Sequence, residues 1–511
     1  MSSKASVFVA LLCVAGAFSS PVQPRLAKSL PLRRRATPKT ITSEWREANR
    51  AHVAQKFNKA TPVSSSPTKR QVQATPGFSL SVTGGAYYSP IEMGTPGVQY
   101  NVVVDTGSSD LWLAATQPSS NSVFSGGGGQ SQTAPLYTST GSSTFNNTGS
   151  TTFTINYLGG DTAGTTAFET VSMGGITVKN QKFGVATQQT GDILTSATTG
   201  LIGMAWAAIA TFGTPFWQAS DPTTWAQPLF AFALARDNNP TSAADISGGS
   251  FTIGTVDSTQ YKGDIQYTNI PTNAQSWWLL PMTSITVNGQ TFPLNGALSA
   301  IDTGTTLLGG PQDSTDAIYK TIPGAQAGSG SDAGYYFYRE FNLCTLHIPF
   351  PPLTNGRTAC STVMNVSISF GGESWPIDPA DFTSSTQDPQ TCMGALFAAE
   401  SGSGASTSGS INPAWIIGDT FLKNVYSVYR FSPPSVGFAT LASSTGAGVT
   451  AIASAETVSI KGIGGTATAA NGQPISTGVT GAISAASPRL SASTLMVMTV
   501  GSVLGAMIVL L

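Results

Sequence analysis

Short runs in which apolar and polar residues alternate recur along the chain, among them Phe153-Thr154-Ile155-Asn156-Tyr157, Phe251-Thr252-Ile253 and Ser284-Ile285-Thr286-Val287. A period of two places one set of side chains on the core face of a strand, so these runs predict short, half-buried strands. Turns such as Met173-Gly174-Gly175 and Asn288-Gly289 separate them, and no long amphipathic helical pattern stands out. The expectation is an all-β chain, and 511 residues give it length for two sizeable cores.

Two of the apolar runs end alike. Val102-Val103-Val104 leads into Asp105-Thr106-Gly107-Ser108-Ser109, and Leu298-Ser299-Ala300-Ile301 leads into Asp302-Thr303-Gly304-Thr305-Thr306. An apolar strand that delivers an Asp onto a Thr-Gly turn sets a carboxylate at a strand end. Two such units can bring two carboxylates face to face. Like charges at that range cannot both ionise cheaply, so the pair titrates as a unit and shares one proton over an acidic range. The ionised partner can act as general base on a water between them, and the protonated partner can donate to a scissile carbonyl. No metal, cofactor or nucleophilic side chain is required, and the sequence leaves both Asp105 and Asp302 open as the holder of the proton.

The flanking residues are similar to those of the pepsin-like aspartic proteases of fungal type. Tyr88-Ser89-Pro90-Ile91-Glu92-Met93-Gly94-Thr95-Pro96 precedes the first Asp, and Asp110-Leu111-Trp112 follows it. Gly200-Leu201-Ile202-Gly203-Met204-Ala205 resembles the matching element of the first lobe. Trp415-Ile416-Ile417-Gly418-Asp419-Thr420-Phe421-Leu422, Tyr426-Ser427-Val428-Tyr429 and Val436-Gly437-Phe438-Ala439 resemble the closing segment of the second. The resemblance runs from Tyr87 to Thr440. It implies a bilobal fold with the cleft between two β-rich lobes that meet near Gly249 to Tyr267, and an acid endopeptidase acting on extended polypeptides as a monomer.

The resemblance also implies roles for individual residues. Thr106 and Thr303 exchange hydrogen bonds across the two turns, Gly107 and Gly304 allow close approach, and Ser108 and Thr305 bond the outer carboxylate oxygens. Ile155 to Gly160 looks like the flap, with Tyr157 over the cleft, Trp112 bracing it, and Gly159, Gly160 and Thr306 beside bound substrate. The flap tip departs from the family pattern, because Leu158 stands where Gly is common and Gly159 where a hydroxyl or carboxylate is. Other readings are a catalytically silent peptide- or wall-binding protein on the same fold, and a structural surface glycoprotein. Intact paired motifs weigh against both.

Charge divides the chain unevenly. Thirteen of the 24 Lys and Arg residues lie in the first 70 positions with two acids, while 11 basic and 23 acidic residues follow. A basic leader on an acidic body suggests an electrostatic clamp rather than nucleic-acid binding. Residues 1–20 read as a secretory signal and 21–70 as a propeptide ending in Lys69-Arg70. In the resembling family a basic propeptide covers the cleft and its cations pair with the carboxylates, with Lys56 and Lys59 the candidates here. The lobes are then 71–258 and 259–440.

Residues 441–487 form a Ser/Thr/Gly/Ala-rich stalk and 488–511 a hydrophobic C-terminal signal, in which Leu495 to Leu511 is an apolar run with no basic stop residue. Ser484-Ala485-Ala486, a polar spacer and that tail match a GPI-attachment signal with Ser484 as the attachment residue, against a plain tail anchor. Membrane contact would then run through a lipid alone, outside the cell. Asn146-Asn147-Thr148 and Asn365-Val366-Ser367 are glycosylation sequons. Of the cysteines left after signal removal, the resemblance pairs Cys360 with Cys392 and leaves Cys344 in Arg339 to Thr358, a run that fits neither flank. That run reads as a retained intron or as a surface loop with a free thiol, which the transcript sequence distinguishes.

Overall fold

The computed structural model describes residues 28–34, 41–57, 87–115, 134–157, 160–189, 193–194, 197–222, 225–236, 246–272, 274–339, 363–386, 391–399 and 412–442. The chain divides into two units, Met1–Thr450 and Ala451–Leu511, and all described residues lie in the first. The signal segment, Lys59, Lys69-Arg70, Gly159, Cys344, Cys360, most of the 339–358 run, the stalk beyond Ala442, Ser484 and the tail fall outside the described residues.

The fold is all-β and bilobal. Among the described residues the strands form sheets of 13, 7 and 4 members. The two Asp-bearing strands sit in equivalent surroundings. Val98–Asp105 runs parallel to Gly200–Gly203, with Asp105 opposite Gly203, and Gly200–Gly203 runs antiparallel to Leu111–Ala114. Gln290–Ile301 runs parallel to Trp415–Ile417, with Ile301 opposite Ile417, and Trp415–Ile417 runs antiparallel to Leu308–Gly310. In each lobe a later strand therefore threads between the two arms of the Asp-Thr-Gly turn. The threading demands glycine at its end. A Cβ on Gly203 would stand 2.4 Å from the Ser109 nitrogen, and one on Gly418 2.2 Å from the Thr305 carbonyl oxygen.

The lobes share one sheet. Leu229–Leu234 of the first pairs with Val425–Phe431 of the second, flanked by Ile246–Ile253 on one side and by Pro434–Leu441 and Tyr261–Asn269 on the other. Its face toward the turns carries a packed aromatic layer. Tyr429 stacks on Phe230 at 5.1 Å, and Trp278 meets both edge-on at 5.3–5.4 Å. Each such ring buries a large apolar area, which fixes the lobes' relative position.

The leader contributes two elements to this unit. Lys28–Arg34 is a strand inside the large sheet, antiparallel to Ile246–Ile253 and, at Arg33 and Arg34, to Tyr87–Met93. Ser43–Phe57 is a helix, α1. No helical pattern is visible there in the sequence because the buried face is chemically mixed. Trp45, Arg46, Asn49, Val53, Lys56 and Phe57 are all under 9% exposed and fall on one side at 100° per residue. Half of that face is polar because polar groups receive it. Trp45, Val53 and Phe57 contribute about 1.5–3 kcal/mol each by burial.

Candidate active site

The two turns face each other and are locked by their threonines. Thr106 N–H donates to Thr303 Oγ1 at 3.1 Å, and Thr303 N–H donates to Thr106 Oγ1 at 2.9 Å. Each hydroxyl then donates across to the opposite strand, Thr106 to Ile301 O at 2.9 Å and Thr303 to Val104 O at 2.8 Å. Four hydrogen bonds between two buried turns fix the carboxylates relative to one another. Thr106→Val keeps the volume but strands the Ile301 carbonyl and the Thr303 N–H, so it costs about 2 kcal/mol. A fall in melting temperature of the protein, with a parallel loss of turnover, checks this.

The carboxylates are buried, Asp105 at 2% and Asp302 at 0% exposure. Gly107 N–H donates to Asp105 Oδ1 at 2.8 Å and Ser108 Oγ to its Oδ2 at 2.5 Å. The second turn repeats the arrangement: Gly304 N–H donates to Asp302 Oδ1 at 2.9 Å and Thr305 Oγ1 to its Oδ2 at 2.5 Å. The glycines have a second reason to be there. A Cβ on Gly107 would stand 2.4 Å from Asp302 Oδ1, and one on Gly304 2.2 Å from Asp105 Oδ1. A side chain at either position would collide with the opposite carboxylate.

Lys56, at the end of α1, reaches into this pair. Its ammonium donates to Asp105 Oδ1 at 2.9 Å and to Asp302 Oδ2 at 2.8 Å, and its side chain is 5% exposed. Phe57 beside it is fully buried against Trp277, ring centroids 5.6 Å apart. Burial would raise the Asp105 carboxyl, but the Lys56 ammonium and hydrogen bonds from Asp302, Ser108 and Lys56 override it and lower the pKa to about 2. For Asp302 burial dominates. Together with the Asp105 charge it outweighs the pull of Lys56 and raises the pKa to about 6. Burial opposes the charge on Lys56, and the two carboxylates overcome it and raise its pKa. One carboxylate is thus held ionised and the other is the proton carrier of the pair.

The remaining residues singled out in the sequence are placed as follows. Trp112 is fully buried with Phe153, Ile155, Val103 and Leu201. Tyr157 closes the strand Thr152–Tyr157 opposite Gly160, and its side chain lies outside the described residues. The Thr306 carbonyl accepts from Thr420 N–H at 2.9 Å and Thr420 Oγ1 at 3.1 Å, which ties the turn to the threaded strand's exit. Cys392 is disulfide-bonded, with a partner outside the described residues. Asn146 and Asn365 are both exposed, and Asn146 Oδ1 accepts from Thr148 N–H at 2.8 Å. Among the described residues no cluster of His, Cys, Asp and Glu is arranged to hold a metal ion, and no helix is long and apolar enough to cross a membrane.

Sequence reasoning named Lys56 but missed its companions on α1. Arg46, Asn49 and Arg50 all bond the segment Asp332 to Tyr335 of the second lobe. Their spacing of three or four residues ahead of Val53, Lys56 and Phe57 fits one helix face, but the mix of polar and apolar residues on that face hides it from a hydrophobic pattern.

Comparison with known proteins agrees with this geometry. Residues 86–441 match the family model described as eukaryotic aspartyl protease. Major aspartyl peptidase 1 of Cryptococcus neoformans var. grubii is 34% identical over 385 residues, covering 73% of this chain and 72% of that protein. An aspartic protease of Phaffia rhodozyma is 29% identical, covering 83% of this chain and 91% of its own. Pepsin A of Sus scrofa is 28% identical, covering 70% and 81%.

Proposed function

The chain belongs to the eukaryotic aspartyl protease family, and from that premise we propose a secreted acid endopeptidase, made as a zymogen, that hydrolyses peptide bonds through Asp105 and Asp302. It is an aspartic-type endopeptidase by family. The observation that carries the proposal for these residues is the buried carboxylate pair itself, locked by Thr106 and Thr303 and split into one low and one high pKa. Asp105, held ionised, is the general base toward a water between the carboxylates. Asp302, protonated through the acid range, donates to the scissile carbonyl as the water adds to its carbon. The tetrahedral diol then collapses: the C–N bond breaks, the proton taken up from the water passes to the leaving nitrogen, and the dyad regains its shared proton. The N–H and hydroxyl donors at each turn hold both carboxylates in plane throughout.

Latency follows from the Lys56 contact. Its ammonium stands between the carboxylates, where the water has to be, and α1 holds it there. This supports reading 21–70 as a propeptide that inhibits its own chain, with 71–258 and 259–440 as the lobes and Lys69-Arg70 as the processing site. Acid weakens the cap in two steps: the attraction at Asp302 fades as pH falls through about 6, while that at Asp105 lasts until about 2. The exposed sequons Asn146 and Asn365, the signal segment and the 441–511 tail favour export and a GPI tether, with polypeptides as substrates and Tyr157 as the flap residue over them. The Cys360–Cys392 pairing belongs to the same reading.

The test is cleavage of a denatured protein by the acid-processed chain in ¹⁸O-labelled water, with and without pepstatin. Pepstatin-sensitive cleavage that puts one solvent oxygen into each new carboxyl is expected. A processed protein that still melts cooperatively but cleaves nothing would leave a silent peptide-binding protein.

A further inference from the structure

The grip of α1 on the second lobe has a separate centre, away from the carboxylate pair. Arg46 is 6% exposed. Its Nε and Nη2 both donate to Asp332 Oδ1, at 2.9 and 2.7 Å, and its Nη1 donates to Ile41 O at 2.8 Å. The guanidinium carbon lies 4.9 Å from the centre of the Phe337 ring. Beside it Asn49 Nδ2 donates to Tyr335 OH at 2.9 Å, and Arg50 donates to Ala333 O. A carboxylate taking two donors of the fork, with an aromatic ring beside it, suits the planar guanidinium better than a compact ammonium.

Ile41, Arg46, Asn49 and Arg50 all belong to the leader; Asp332, Ala333, Tyr335 and Phe337 do not. Once the leader is gone, the carboxylate, the carbonyl, the hydroxyl and the ring stay with the second lobe. The body beyond residue 70 is acidic, 23 acids against 11 bases, so a basic stretch of polypeptide is drawn to it in general. The Asp332–Phe337 pair gives that attraction a fixed address.

We propose that Asp332 and Phe337 form a remote subsite of the processed enzyme that takes an arginine side chain of the substrate. The proposal rests on the zymogen reading above, in which Arg46 fills the subsite until α1 leaves. Arg46 and Lys56 are ten residues apart on α1, about 15 Å at roughly 1.5 Å per residue. An extended substrate covers that span in about four or five residues at roughly 3.3 Å each. The enzyme therefore favours substrates with arginine about that far from the scissile bond.

A peptide series tests this: one scissile sequence with a single arginine moved from three to six residues away on either side, each with lysine and citrulline counterparts. At one register near four or five residues, the arginine peptide is expected to exceed its citrulline counterpart about tenfold in kcat/KM, through KM, and to exceed the lysine one. In Asp332→Asn the arginine-to-citrulline ratio falls toward one. Equal rates for arginine and citrulline at every register in the wild-type enzyme would overturn the subsite, and this comparison needs no variant to fold. The same peptides are also run as competitors of a fluorescent Ser43–Phe57 peptide, which reads the subsite without turnover. Arginine-dependent competition without cleavage would sink the protease reading and keep the subsite. Cleavage without arginine dependence in either assay would do the reverse.

Discussion

Asp302→Asn is expected to leave a folded, processed protein whose kcat/KM is lower by about 10⁴-fold, the upper end for removing a general acid. The substitution is nearly isosteric, and its surroundings tolerate it. The Asn Oδ1 still accepts from Gly304 N–H, and the Thr305 hydroxyl, which donates to Oδ2 at 2.5 Å in the wild type, can rotate to accept from the new Nδ2. The threonine lock between the turns involves neither carboxylate. What disappears is the proton that a group with a pKa raised to about 6 carries through the acid range. Unchanged melting with turnover lost is the expected signature. Melting and turnover falling together would make Asp302 a structural residue.

Lys56→Met in the full-length chain is expected to open the cleft without acid. Removing the ammonium leaves two carboxylates, 2% and 0% exposed, facing each other with no cation. Breaking a buried ion pair from one side costs about 3–5 kcal/mol. Here α1 can avoid that cost by lifting, which lets water reach the carboxylates. Pepstatin affinity of the unprocessed chain at about pH 6 should then rise on the order of 10²-fold or more. The sign with pH is fixed by the shifts. Asp105, lowered to about 2, contributes stability to the capped fold that is complete above its unfolded value of 3.8 and lost as pH falls through about 2. Asp302, raised to about 6, contributes to folding against the unfolded chain in the opposite sense, fully below 3.8 and not at all once pH has risen through about 6, whereas its hold on the Lys56 ammonium needs the ionised form and is lost as pH falls through about 6. Lys56→Met removes the lowering influence of a cation from both, so both pKa values move up. A variant whose pepstatin affinity equals that of the wild type at that pH would mean that Arg46, Asn49 and Arg50 alone keep the cleft shut.

The carboxylate pair was legible in the sequence because its geometry admits so few residues. Gly107 and Gly304 are forced by the opposite carboxylate, and Gly203 and Gly418 by the threaded strand, so the motifs stand out even without regular periodicity. Alternation likewise exposed the strand Thr152–Tyr157, whose Phe153 and Ile155 are buried and Thr154 and Asn156 exposed. Helix α1 was not legible, because Arg46, Asn49 and Lys56 on its buried face are matched to Asp332, Tyr335 and the dyad rather than to an apolar core. The strand Lys28–Arg34 was hidden for a related reason. Pro31 sits within it and four of its seven residues are Lys, Pro or Arg, which argues against a strand inside a sheet until the partner strands are known. Interactions made far along the chain thus decided both elements.

The pH dependence of kcat/KM for the processed enzyme tests the two-carboxylate mechanism most directly. With Lys56 gone, a bell confined to acid pH is expected, its lower limb above about 2 as the base protonates and its upper limb as the acid loses its proton. Activity that persists or climbs through neutral pH would place the chemistry on another group and contradict the roles given to Asp105 and Asp302.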